Sequence, residues 1–157
     1  DDFDGDGNLD VLINGNDYGT DISIGRYDAL NGLLLKGDGN GGFLPLSIQE
    51  SGIYIPGNGK ALVKLAGANG NYLVAASQNR DHVKMFELGR KRNIVRINAD
   101  DREAVIHFKN GKSRKQEFYY GNSFLSQSAR FLVGGNGVSS IEVTDNAGTR
   151  RVVWEKK

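Results

Sequence analysis

"DFDGDGNLDVLING", residues 2–15, sets four aspartates among glycines and follows them at once with Val-Leu-Ile. Alternate spacing in a tight loop aims every second carboxylate at one point. Repulsion there disfavours a compact loop unless a cation neutralises it. Hard cations such as Ca2+ take about six to eight oxygens from carboxylates, carbonyls and water, and Gly5 and Gly7 permit the sharp turns such a loop needs. The run behind the loop, Val11-Leu12-Ile13, favours a strand. The stretch therefore reads as a cation loop feeding a β-strand. A solvated acidic turn is the alternative, although turn chemistry uses one or two such residues and not an alternating set of four.

With Asp2 as loop position 1, carboxylates of Asp2, Asp4, Asp6 and Asp10 fall at 1, 3, 5 and 9, and the backbone carbonyl of Asn8 falls at 7. An EF-hand would require a bidentate glutamate at position 12 and a helix after it. That place is Ile13, so the loop is not an EF-hand.

Outward from residue 15 the local patterns stay β. Runs such as "GLLLK", "ALVKLA", "YLVAAS", "HVKMFEL", "NIVRIN", "AVIHF", "RKQEFYY", "ARFLV", "SSIEVT" and "RRVVW" are separated by Gly and Asn clusters at antiparallel spacing. No stretch sustains a helical stripe; residues 122–129, "NSFLSQSA", fit one helical turn or a loop equally. Asn110-Gly111 predicts a type I′ hairpin. Alternation in "AVIHFK" puts Ala104, Ile106 and Phe108 on one face and Val105 and His107 on the other.

The chain has 157 residues, 38% hydrophobic, with 22 glycines and no cysteine, which suits one medium or two small domains and excludes a disulfide framework or a thiol site. No apolar run is long enough for a transmembrane helix. A start on Asp-Asp without methionine is expected of a processed or excised piece of a longer protein. A loop of weak, extracellular-type calcium affinity points to the extracellular space or the cell envelope. Residues 1–88 carry 6 Lys+Arg against 12 Asp+Glu, net −6, and residues 89–157 carry 14 against 7, net +7. A domain boundary is expected at that shift, near "ELGRKRN" (87–93). The "RKR" at 90–92 is too short and too poor in aromatics for a nucleic-acid patch.

A 63-residue shift lays "GNLDVLIN" (7–14) over "GNYLVAAS" (70–77), so a Gly-Asn turn and strand recur. The four carboxylates do not recur, since Leu65, Gly67, Asn69 and Leu73 stand in their places. One calcium site is therefore expected, in neighbouring units of a repeat architecture.

These residues resemble a family. "DFDGDGNLDVLI" is similar to the calcium loop of FG-GAP or VCBS repeats, the blades of integrin-α-like β-propellers. "GLLLKGDGNGGF" (32–43) and "ESGIYIPGNGKALVKL" (50–65) resemble phrases that follow it. "VIHFKNGKSRKQEF" and "YGNSFLSQSARFLVG" (120–134) resemble the ASPIC/UnbV module, although the Trp-Pro common before that module's hairpin is replaced by "HFKNG". The resemblance implies propeller-like blades in 1–88 and a small antiparallel β-sandwich or barrel-like domain in 89–157. Residues 1–88 hold fewer than two blades of the usual four to eight. It also implies a role in adhesion, scaffolding or carbohydrate binding.

Nothing in the chain argues for catalysis. His82 and His107 lie in different halves without a nucleophile elbow or His-pair spacing. "GDGNGG" (37–42) lacks the Lys and helix of a phosphate loop and reads as a hairpin turn, with Asp38 and Asn40 a poor second cation site. The sequence thus predicts an all-β, non-catalytic, calcium-stabilised module. Asp2, Asp4, Asp6, Asp10 and the Asn8 carbonyl are its ligands, and its partner is a protein or carbohydrate surface. The alternative is the accessory or sensor region of a larger glycan-handling enzyme. An exposed sheet edge predicts self-association.

Overall fold

The computed structural model describes residues 1–88, 93–121, 126–135 and 137–156. The chain is all-β and antiparallel. Three strands, β1 (Val11–Asp17), β2 (Tyr27–Gly37) and β3 (Phe43–Leu46), form a meander, and β4 (Gly59–Ala66), β5 (Tyr72–Gln78) and β6 (Lys84–Glu87) form a second. Beyond them come β7 (Asn93–Arg96), β8 (Asp101–Phe108), β9 (Ser113–Glu117), β10 (Phe131–Gly134), β11 (Val138–Asp145) and β12 (Arg150–Glu155). They pair as a β10-β7 ribbon and a four-stranded sheet in the order β12-β11-β8-β9. Among the described residues no sheet closes into a barrel, and the second half stacks its ribbon on its sheet.

Alternation explains the packing. Tyr72, Val74 and Ala76 on one face of β5 are buried with Ile53, Ile55 and Leu88. Ala104 and Ile106 are buried and Phe108 is partly buried in a second cluster with Ile141 and Val143, as the period of two requires. The β7-β10 ribbon serves both clusters. Phe131, with Ile94 and Val133, packs into the first, while Leu132 and Val95 belong to the second. The fully buried Asp101 carboxylate meets Arg151 at 2.6 Å and accepts the Asn98 amide at 2.6 Å, tying the start of β8 to β12.

Three readings differ in detail. The hairpin at residues 109–112 exists, but its turn is not type I′. Arg80 is the one non-glycine with positive φ among the described residues, so Asn110 is not in that region, whereas Gly111 sits at φ 81°. The Gly111 amide bonds to the Phe108 carbonyl and the Phe108 amide to the Lys112 carbonyl. That pattern is a three-residue loop with glycine at its left-handed position. A one-turn helix, α1 (Ile48–Ser51), forms where no helical stripe exists. Ser47 and Glu50 make a capping box, and Gly52 closes the turn at φ 69°. The 63-residue shift pairs β1 with β5, yet β1 is the first strand of its meander and β5 the middle one, so the counterpart of β1 is β4. Part of the 122–129 stretch and the "RKR" at 90–92 lie outside the described residues.

Candidate metal centre

The loop ahead of β1 is closed at its base by two main-chain bonds, Asp10 amide to Asp1 carbonyl at 2.7 Å and Asp1 nitrogen to Asp10 carbonyl at 3.0 Å. Within it the aspartates order the backbone. Asp2 accepts the Gly5 and Gly7 amides at 2.7 and 3.1 Å, Asp4 accepts Asp6 at 3.0 Å, and Asp6 accepts Asn8 at 2.8 Å. These are the local side-chain turns that Asp favours. Gly5 and Gly7 take φ 84° and 97°, which only glycine adopts without strain. The Asp10 side chain is buried and fixes the loop to the sheet, accepting Phe3 at 2.7 Å and Gly37, the last residue of β2, at 2.9 Å.

This network brings Asp2, Asp4 and Asp10 together. Each offers a carboxylate oxygen, and the three lie within 4.8 Å of one another. Oxygens on opposite sides of a calcium ion with bonds of about 2.4 Å are about 4.8 Å apart, so one ion can span them. Asp6 is outside this group. Its Oδ2 lies 3.0 Å from Lys36 Nζ, and the Asn8 side chain packs against Gly39 of the β2–β3 turn.

Two basic residues that local sequence reasoning passed over complete the surroundings. Lys36, near the end of β2, hydrogen-bonds Asp4 and Asp6. These acids raise its pKa well above that of an ordinary lysine. Partial burial pushes Asp6 upward, but the Asn8 amide and Lys36 outweigh it and leave the carboxyl below its usual value. Arg114, on β9, donates from Nη1 to the Gly7 carbonyl at 2.7 Å. The Phe108 ring stands where a Cβ on Gly7 would approach to 3.0 Å. Lys36 was discoverable in principle, because pairing Val11 with Leu35 places the next β2 residue beside the loop. Arg114 carries no local signal.

The other candidates resolve into structure. Asp38 accepts the Asn40 and Gly42 amides at 2.7 and 2.9 Å, making residues 37–42 a β2–β3 hairpin turn. His82 is exposed beside Asp81, and His107 shares a 2.9 Å contact with the Ser113 hydroxyl on the outer face of the β8–β9 hairpin. Comparison with family models, characterised proteins and solved structures returned no match.

Proposed function

We propose that the chain is a non-catalytic, calcium-stabilised binding or scaffolding module of the extracellular space or cell envelope. The convergence of the Asp2, Asp4 and Asp10 carboxylates on one point carries the calcium part of this reading. Asp10 is held from two sides by backbone amides and gives the site a rigid floor. Asp6 and the Asn8 carbonyl would complete the shell once Lys36 withdraws from Asp4 and Asp6. An ion there would pin the loop to the β1–β2 hairpin and, through Gly7, to β9.

The partner is a protein or carbohydrate surface, in keeping with the resemblance to FG-GAP or VCBS blades and the ASPIC/UnbV module. Exposed apolar side chains along β1 and β3 supply a face for contact, including self-association.

Calorimetric titration of the chelator-treated chain with calcium chloride tests the metal. One site is expected, with Asp4→Ala removing the heat. At about a hundredfold excess over Kd, calcium should add about 2.7 kcal/mol to unfolding stability. No heat and no stabilisation would leave the loop a metal-free acidic turn. A glycan and surface-protein array probed with and without calcium tests the binding role.

A further inference from the structure

Asn-Gly occurs seven times in the chain, at Asn14, Asn31, Asn40, Asn58, Asn69, Asn110 and Asn136. In this dipeptide the backbone amide after asparagine is unshielded by any side chain and easily reaches the asparagine Cγ. The following residue is the same at every site, so differences in reactivity come from the fold. Two things matter. The glycine amide must be free to give up its proton and turn toward Cγ, and the asparagine side chain must be free to meet it.

The fold withholds one or both at five of the six described sites. Asn14 and Asn31 lie inside β1 and β2, and their side chains bond to the Ala61 carbonyl and the Asn16 side-chain amide at 3.4 Å each. Asn58 is buried, and the Gly59 amide bonds to the Gly57 carbonyl at 2.9 Å. The Gly70 amide is held by the Gly67 carbonyl at 3.1 Å and the Gly111 amide by the Phe108 carbonyl at 3.0 Å. Asn110 also accepts the Lys112 amide on Oδ1. Asn40 differs from all of these. It is exposed in the β2–β3 turn, and neither its side chain nor the Gly41 amide has a hydrogen-bond partner among the described residues. A Cβ on Gly41 would meet nothing within 4 Å. The Asp38 carboxylate holds the amides on either side, those of Asn40 and Gly42, and leaves the reacting amide loose.

We propose that Asn40 is a site of spontaneous covalent modification, deamidating through a succinimide formed with the Gly41 amide. The Gly41 nitrogen yields its proton to hydroxide and attacks the Asn40 Cγ. The new N–Cγ bond closes the ring, and the Cγ–Nδ2 bond breaks as ammonia leaves with a proton taken from water. Water then opens the ring at either carbonyl, giving aspartate or isoaspartate, so the net change is uptake of water and loss of ammonia. Either product sets a new negative charge near Asp38. Isoaspartate also adds a methylene to the main chain of the turn, whose Gly39 packs against the Asn8 side chain of the acidic loop. This chemistry goes beyond the calcium reading and does not depend on it.

The test is incubation of the whole chain in mildly alkaline buffer, sampled over time by peptide mapping with mass spectrometry and by enzymatic methylation of isoaspartate. Asn40 should convert first, with Asn69 and Asn110 about two- to tenfold slower, the effect of breaking an amide hydrogen bond before attack. In urea the sites should converge on similar rates. Asn40→Gln should remove the early product and leave the other sites unchanged. Conversion of Asn69 or Asn110 as fast as Asn40 in the folded chain would overturn the proposal, as would an Asn40 that stays intact until urea is added. A lead for Asn40 that persists undiminished in urea would do the same, because the preference would then lie in the sequence and not in the fold.

Discussion

Lys36 and Lys64 each set an ammonium against aspartate, with opposite consequences. Lys36 occupies the mouth of the acidic loop, so calcium must compete with it for Asp4 and Asp6. Its side chain is 40% exposed, which limits the pair to about 0.5–1 kcal/mol. Lys36→Met should therefore tighten calcium about two- to fivefold in calorimetry, whereas in a loop with no affinity for metal it would only lower stability. Lys64 is enclosed by Asp1, the Tyr72 hydroxyl (2.8 Å from the same Asp1 oxygen), Arg114 and the Phe131 ring. Burial first, and Arg114 second, lower its pKa to about 8. The unfolded chain holds this proton up to about pH 10.4. Below pH 8 both states are protonated and the folded chain bears the full cost of the buried charge. Between these values the folded chain releases the proton first and the unfolded chain binds more, so the Lys64 contribution to stability rises with pH. Urea unfolding at about pH 7.5 and pH 10 should show wild type gaining roughly 2 kcal/mol relative to Lys64→Met. A constant difference between the two chains would contradict the burial of this charge.

Among the elements, β2 depends most on one backbone position. Its pairing with β1 shifts register between Ile13 and Gly15, opposite Leu33 and Leu30, and Gly32 takes φ 87° within that irregularity. A Cβ at Gly32 would approach Ile53 Cγ2 to 2.9 Å and Ile55 Cδ1 to 3.4 Å, both side chains in the centre of the first cluster. The left-handed backbone and the overpacking add, so Gly32→Ala should cost about 2–4 kcal/mol. Gly111→Ala, with φ 81° and open space around it, should cost only the backbone part, about 1–2 kcal/mol. Equal losses in urea midpoints would show that the Ile53 contact is easily relieved. In the second half, the β7-β10 ribbon is the element on which both cores rest, because its alternate side chains enter different clusters.

At the scale of the whole molecule, one face of the first meander is left partly exposed among the described residues. Cross-strand pairing sets Val11 opposite Leu35 and Ile13 opposite Leu33 on the same side, continued by Pro45 and Phe43 on β3. Val11 and Ile13 are each 37% exposed and Phe43 49%. An apolar sheet face bordered by terminal strands favours pairing between copies. Sedimentation at rising concentration should show self-association that persists in high salt, since apolar contact is not screened, and Ile13→Lys should reduce it. Dimers that dissolve in salt would instead assign association to the opposed charges of the two halves, −6 and +7. A monomer at every concentration would contradict both.

What the sequence determined alone is what short-range physics controls. Alternation places Ala104 and Ile106 inward whatever their partners, and each of the strand-forming runs from "LDVLIN" to "RRVVW" contributes a strand, although "RKQEFYY" leaves its strand after Glu117. Aspartates at alternate positions bond to amides two to five residues away, so the loop geometry follows from residues 2–10 themselves. The form of the 109–112 turn was less legible, because Asn-Gly suits more than one loop and strand register chooses between them. Everything that depends on distant chain meeting the loop was decided by tertiary structure. Asp4 and Asp6 both meet Lys36 because β2 folds back beside β1. Arg114 reaches Gly7 across 107 residues only because β9 ends its sheet at that point. Phe131 completes the first core from the second half because a strand's two faces can serve two neighbours, and which neighbours they are is a property of packing rather than of pattern.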